Sequence, residues 1–136
     1  MTPDINYLAV FAAIVSNMVI GSLWYSPLIL GKQWMKAMGK TSDEMKKQGG
    51  MAKAMLLMLL SAAIMAYVLA HIVSFAGARD WMAGAQGGFW VWLGFVATTT
   101  AGASIFEKRS WNLFLISGAY YLVALLVMGA ILGAWR

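Results

Sequence analysis

Residues able to do chemistry are few in this chain, and most of them stand at the ends of apolar runs. The stretch "GSLWYSPLILGKQW", 21–34, closes the first run with Trp24, Tyr25 and Ser26 and carries on to Trp34. The stretch "FEKRSW", 106–111, separates the last two runs and brings Glu107, Arg109 and Trp111. Asn17 is a single amide in the middle of the first run. Phenol, hydroxyl, amide and carboxylate groups can hydrogen-bond a ligand or pass a proton. The indoles add flat apolar walls with one N–H donor each. Asn17, Trp24, Tyr25, Ser26, Trp34, Glu107, Arg109 and Trp111 are therefore the candidate ligand-binding set.

Each also has a plainer reading. Asn17 suits an interhelical hydrogen bond, worth about 1 kcal/mol. The aromatic residues suit anchors at a membrane surface. Glu107 suits an ion pair with Lys108, Arg109 or a lysine of the first loop. No second acid lies within an apolar run, so a two-carboxylate mechanism has no support, and no catalytic residue is assigned. His71, one turn after Tyr67, offers a haem ligand or a proton relay. A hydrogen-bonded histidine at the membrane surface is the simpler reading, and the eleven methionines read as apolar filler. Without cysteine, and with one histidine, the chain has no disulfide, no thiolate site and no multi-histidine metal centre of its own. Neither metal nor cofactor is assigned. Nucleotide-binding and hydrolase signatures are absent.

These residues must be positioned by elements that live in lipid. Of 136 residues, 62% are hydrophobic and 11% charged, and the mean hydropathy is +0.73. That is too little charge to coat a water-facing globule, where the apolar share is about half. Crossing a bilayer takes about 20 apolar residues in helical form. Four segments qualify: 5–26, 51–75, 84–106 and 112–135. The fold expected is an all-α, polytopic four-helix membrane bundle, one domain over 1–136. The first span has no basic residue before it and ends in "LWYSP", so it reads as a retained helix and not a cleaved signal.

Charge sets the expected orientation. Lys32, Lys36, Lys40, Lys46, Lys47 and Lys53 fall in the first loop, and Lys108 and Arg109 in the third. Only Arg79 and Arg136 fall on the other side. The positive-inside rule then places loops one and three in the cytoplasm and both termini outside a plasma membrane. Lysines clustered between apolar runs point to anionic lipid headgroups near the first loop, not to nucleic acid. Within that loop, "KQWMKAMGK" puts Lys32, Lys36 and Lys40 on one helical face and Trp34, Met35 and Met38 on another. This predicts a short amphipathic helix lying on the membrane surface. "TSDE" offers a capping box, Thr41 with Glu44, for a further helix through Gln48.

Small residues recur at four-residue spacing on every span: Ala9, Ala13, Asn17 and Gly21; Ala62, Ala66 and Ala70; Gly94, Thr98 and Gly102; Gly129 and Gly133. Such stripes let helices approach closely. They predict a compact bundle, with some stripes free to serve a homo-oligomer. Thr98, Thr99 and Thr100 suit bonds back to their own helix.

Two segments, "GSLWYSPLILGKQWMKAMG" and "FEKRSWNLFLISGAYYLVALLVMGAILGAW", give the chain a family likeness. It resembles the small bacterial membrane family DUF1761 over nearly its whole length. An asparagine is common in that family just before the glycine of the last helix, where this chain has Ser117. The resemblance implies a four-helix integral membrane protein and no activity. Three functional readings remain open. The first is a non-enzymatic bundle that binds or transports a small or amphipathic molecule at a cytoplasmic-side pocket. The second is a membrane enzyme acting on a lipid or quinone at the inner leaflet, and the third a structural or accessory subunit.

Overall fold

A computed structural model describes residues 5–26, 29–38, 51–108 and 110–135. The first helix, α1, is Tyr7–Trp24, and the short α2 is Gly31–Met38. Helix α3 is Met51–Phe75. The third span is composite: α4, Trp81–Val91, a π-helical turn, Trp92–Ala97, and α5, Thr98–Phe106. Helix α6, Trp111–Ala134, completes the chain. Tyr7–Trp24, Ala52–Phe75, Trp81–Phe106 and Trp111–Ala134 are each long and apolar enough to cross a membrane. The protein is thus all-helical and multi-pass, and the expected spans differ from these by at most three residues at either end. Lys40, the 41–48 capping-box segment, Pro27 and Arg109 lie outside the described residues.

Local chemistry explains where the helices begin and end. Asn6 caps α1 by accepting from the Leu8 and Ala9 amides at 3.0 and 3.4 Å. Asp80 caps α4 by accepting from the Ala83 amide at 2.7 Å, and Ser110 accepts from Asn112 at the start of α6. Each satisfies an amide that the first turn leaves without a partner. Helix α3 ends at Gly77, with φ +72°. The Ala78 amide donates to Val73 and the Gly77 amide to Ser74, a left-handed C-terminal cap that favours glycine.

Helix α6 is the centre of the bundle. Of the four spans it has the largest buried share, 44% of its most apolar window against 6% for the third span. Its Ala124, Leu125 and Met128 sit in one core with Ala13 of α1 and Ala66, Leu69 and Val73 of α3. Ala13, Ala66, Ala124 and Met128 have no exposed surface at all, so the middle of the bundle is filled. The Asn6 side-chain amide donates to the Trp135 carbonyl at 3.4 Å, which ties the start of α1 to the end of α6. The two helices run antiparallel.

Three of the four expected small-residue stripes pack as anticipated. Ala9, Ala13, Asn17 and Gly21 are buried, as are Ala62, Ala66 and Ala70, and Gly129 and Gly133. The third span differs. Its close contact with α6 is made by Gly84 and Gly88: a Cβ on Gly84 would strike the Gly129 backbone, and one on Gly88 the Leu125 backbone. Gly94 and Gly102 have nothing within 4 Å of where a Cβ would stand, and Thr98 is exposed. The cause is the π turn. Its extra residue shifts the helical phase, so the inward face continues from Gly84 and Gly88 through Trp92 to Ser104, which is 7% exposed.

Candidate functional site

The C-terminal end of α1 meets α6 through side chains that donate hydrogen bonds across the gap. Trp24 uses its indole N–H, which donates to the Ile116 carbonyl at 3.0 Å. From the third span, the Trp92 indole donates to the Gly118 carbonyl at 2.8 Å. Residues 116 and 118 lie about 200° apart around a helix, so the two indoles grip α6 from opposite sides, with Ser117 between them. Each carbonyl has a second lone pair to accept such a bond while keeping its helical one.

Between the indoles lies a set of phenols. The Tyr25 hydroxyl donates to Ser117 Oγ at 3.1 Å. One and two turns deeper on α1, Gly21 and Asn17 face Tyr120, whose hydroxyl donates to Asn17 Oδ1. Gly21 permits this approach, since a Cβ there would stand 3.2 Å from the Tyr120 hydroxyl. The rings make one aromatic corner. Tyr25 lies edge-on to Tyr120 and to Trp34, both at 5.4 Å between centroids, and Tyr120 leans on Tyr121 at 4.8 Å. Edge-to-face contacts at this range stabilise by about 1 kcal/mol each beyond area burial.

Helix α2 forms a cover at this end. Its Lys32 and Lys36 are exposed, while Trp34 and Met35 are partly buried. The turn into it is tight: the Gly31 amide donates to Ser26 at 2.8 Å, and a Cβ on Gly31 would meet the Tyr25 and Ser26 backbone. Glycine is needed there so that α2 can fold back and place Trp34 against Tyr25.

The eight candidates thus divide. Asn17, Trp24, Tyr25 and Trp34 converge on residues 116–121 of α6. Ser26 bonds its own helix end, donating to the Leu23 carbonyl at 2.8 Å. Trp111 is exposed, with its ring against Phe114 of the same helix. It stands about 9 Å further out along α6 than Ser117, six residues at 1.5 Å each. Glu107 is exposed at the end of α5, and Arg109 is outside the described residues. Three contributors were not in the candidate set: Ser117, Tyr120 and Trp92. Ser117 was marked by the family resemblance, as the position where an asparagine is common; Tyr120 and Trp92 were marked by no more than their polar atoms within apolar helices.

Other polar groups are satisfied locally. Thr98 and Thr99 donate to the Gly94 and Phe95 carbonyls at 2.8 and 2.6 Å. His71 Nδ1 lies 2.9 Å from the Tyr67 carbonyl, which can only accept, so this nitrogen carries the proton. Among the described residues no group of three or more metal-ligating side chains occurs. An open groove of about 560 Å³ along α1 and α6, lined by Phe11, Val15, Val19 and Val127 among others, is almost wholly apolar and suits lipid chains.

The family of proteins of unknown function DUF1761 matches residues 8–133, which takes in all but the first residue of α1 and the last of α6, and every residue of the aromatic corner. The chain belongs to the DUF1761 family. No curated protein and no solved structure matches it. For this DUF1761 protein, function must be argued from the corner itself.

Proposed function

We propose that this DUF1761 protein binds an amphipathic molecule where α1, α2 and the first half of α6 meet, and that it is not an enzyme. The observation that carries the reading is the placement of Tyr25. Its ring stands between Trp34 and Tyr120 while its hydroxyl reaches Ser117. One side of the corner is aromatic and the other polar, at the end of a membrane-length helix. That is the depth at which an amphiphile changes from tail to head. Exposed Lys32 and Lys36 on α2 suit the anionic headgroups around it. The positive-inside rule turns this end toward the cytoplasm of a plasma membrane, with both termini outside.

The filled centre of the bundle favours binding over transport, since the residues at its middle have no exposed surface. The hydroxyls of Tyr25 and Ser26 are engaged with Ser117 and the Leu23 carbonyl, which disfavours the lipid- or quinone-processing enzyme. A second reading, a subunit or homo-oligomer that uses the third span for protein contacts, draws support from one observation. Gly94 and Gly102 open onto empty space, where Gly84 and Gly88 of the same span meet the backbone of α6.

The test is a mass-spectrometric survey of what co-purifies in mild detergent, comparing the natural chain with Tyr25→Phe and Trp34→Ala. The reading expects a stoichiometric amphiphile that both variants lose. A chain that carries nothing specific, or a passenger indifferent to both substitutions, overturns it.

A further inference from the structure

The polar end of the corner has an unused donor. Asn17 is 5% exposed, and its Oδ1 is taken by the Tyr120 hydroxyl. Its amide nitrogen carries two N–H groups and has no acceptor among the described residues. The carbonyl one turn back, Ala13, already accepts the Ser16 hydroxyl at 2.7 Å. Among the described residues no fully buried side-chain nitrogen or oxygen lacks a partner. The Asn17 amide nitrogen therefore keeps a small accessible surface. A donor in this position costs about 1–3 kcal/mol if nothing meets it, and polar groups inside membrane spans mark functional sites by default.

Depth and charge decide what can meet it. Asn17 lies ten residues into the eighteen of α1, near the middle of the span. No Lys, Arg, Asp or Glu occurs in 7–24, 54–75, 81–106 or 111–134. An anionic acceptor at that depth would have no countercharge and would pay a heavy desolvation cost. The acceptor must be neutral. A carbonyl oxygen meets the Asn17 N–H without bringing a donor of its own that would need a partner at that depth. Resting on the binding site proposed above, we propose that Asn17 donates to the uncharged carbonyl oxygen of a membrane-soluble ligand. Quinone rings and acyl esters share this chemistry.

The experiment uses the full chain in mild detergent and two probes: a decyl-substituted benzoquinone and a short-chain diacylglycerol. Binding is read by thermal shift, and the bound carbonyl by infrared difference spectroscopy. The natural chain should bind one probe with its carbonyl stretch moved to lower frequency. Which probe does so identifies the source as quinone or ester. Asn17→Leu should weaken that binding about fivefold or more and abolish the band shift, the factor expected for one hydrogen bond of about 1 kcal/mol. If Asn17→Leu fails to fold, Asn17→Ala serves instead. It should lose the same band shift, since alanine suits the small-residue face of α1 but offers no donor.

A probe that binds with loss in Trp34→Ala but no change in Asn17→Leu overturns the role of Asn17 and leaves the aromatic corner as a site. Failure of both probes to bind the natural chain overturns the carbonyl assignment.

Discussion

Gly84→Ala and Gly102→Ala make the same chemical change in the same span and should have opposite effects. Helix propensity alone predicts that each stabilises by about 1 kcal/mol. At Gly102 nothing stands within 4 Å of the new methyl, so that gain is expected in full. At Gly84 the methyl carbon would stand 2.9 Å from the Gly129 carbonyl carbon and 3.0 Å from Gly133 Cα, with the Gly129 oxygen closer still. Comfortable carbon contacts are about 3.5–4.0 Å. The partner is backbone and cannot rotate away, so α4 and α6 must separate by about 1 Å. Overpacking of this kind costs about 1–3 kcal/mol. Separation also lengthens the 2.8 Å bond from Trp92 to Gly118, two turns along the same face. The propensity gain is common to both, so the two variants should differ by the overpacking cost, about 1–3 kcal/mol, in denaturant titrations in mixed micelles. Gly129→Ala fills the same gap from the other side, so the double variant should cost less than the sum of the singles. Equal effects of Gly84→Ala and Gly102→Ala would refute the close approach and the phase shift that explains it.

Three further outcomes are expected. Gly77→Ala should destabilise by about 1 kcal/mol through its φ of +72°, although its Cβ would meet nothing; thermal unfolding in detergent measures this. Lys108, a non-glycine residue at φ +55°, should show the reverse, with Lys108→Gly stabilising by about 1 kcal/mol in the same assay. Trp92→Phe should lose about 1 kcal/mol or more with its bond to Gly118, and hydrogen exchange should rise in the π turn if that indole holds it against α6.

The spans were legible because length and hydropathy alone define them. The stripe of Ala9, Ala13, Asn17 and Gly21 was legible because α1 is a regular helix, so four-residue spacing maps onto one face. The same rule failed in the third span, where the turn at Trp92–Ala97 moves the face by one residue. A shift of that size leaves no mark on composition or period. Tyr25 and Asn17 could be singled out by type and place, but not their partners: Ser117 and Tyr120 lie 92 and 103 residues away in the chain. Pairing at that range depends on how the helices are rotated, which Gly21, Gly84 and Gly129 set together. The grouping with Trp111 rested on its loop position, and six residues of α6 set it apart from Ser117.

The chain has no cysteine and seven tryptophans, so a lipophilic photoprobe can be mapped without thiol side reactions. Irradiating the purified protein with a photoreactive amphiphile and sequencing the labelled peptides tests the binding site most directly. Label should concentrate on Trp24, Tyr25, Trp34 and the 116–121 segment and be competed away by the unlabelled amphiphile. Label confined to the apolar groove around Phe11 and Val127, or spread evenly over the exposed faces and insensitive to competition, would contradict it.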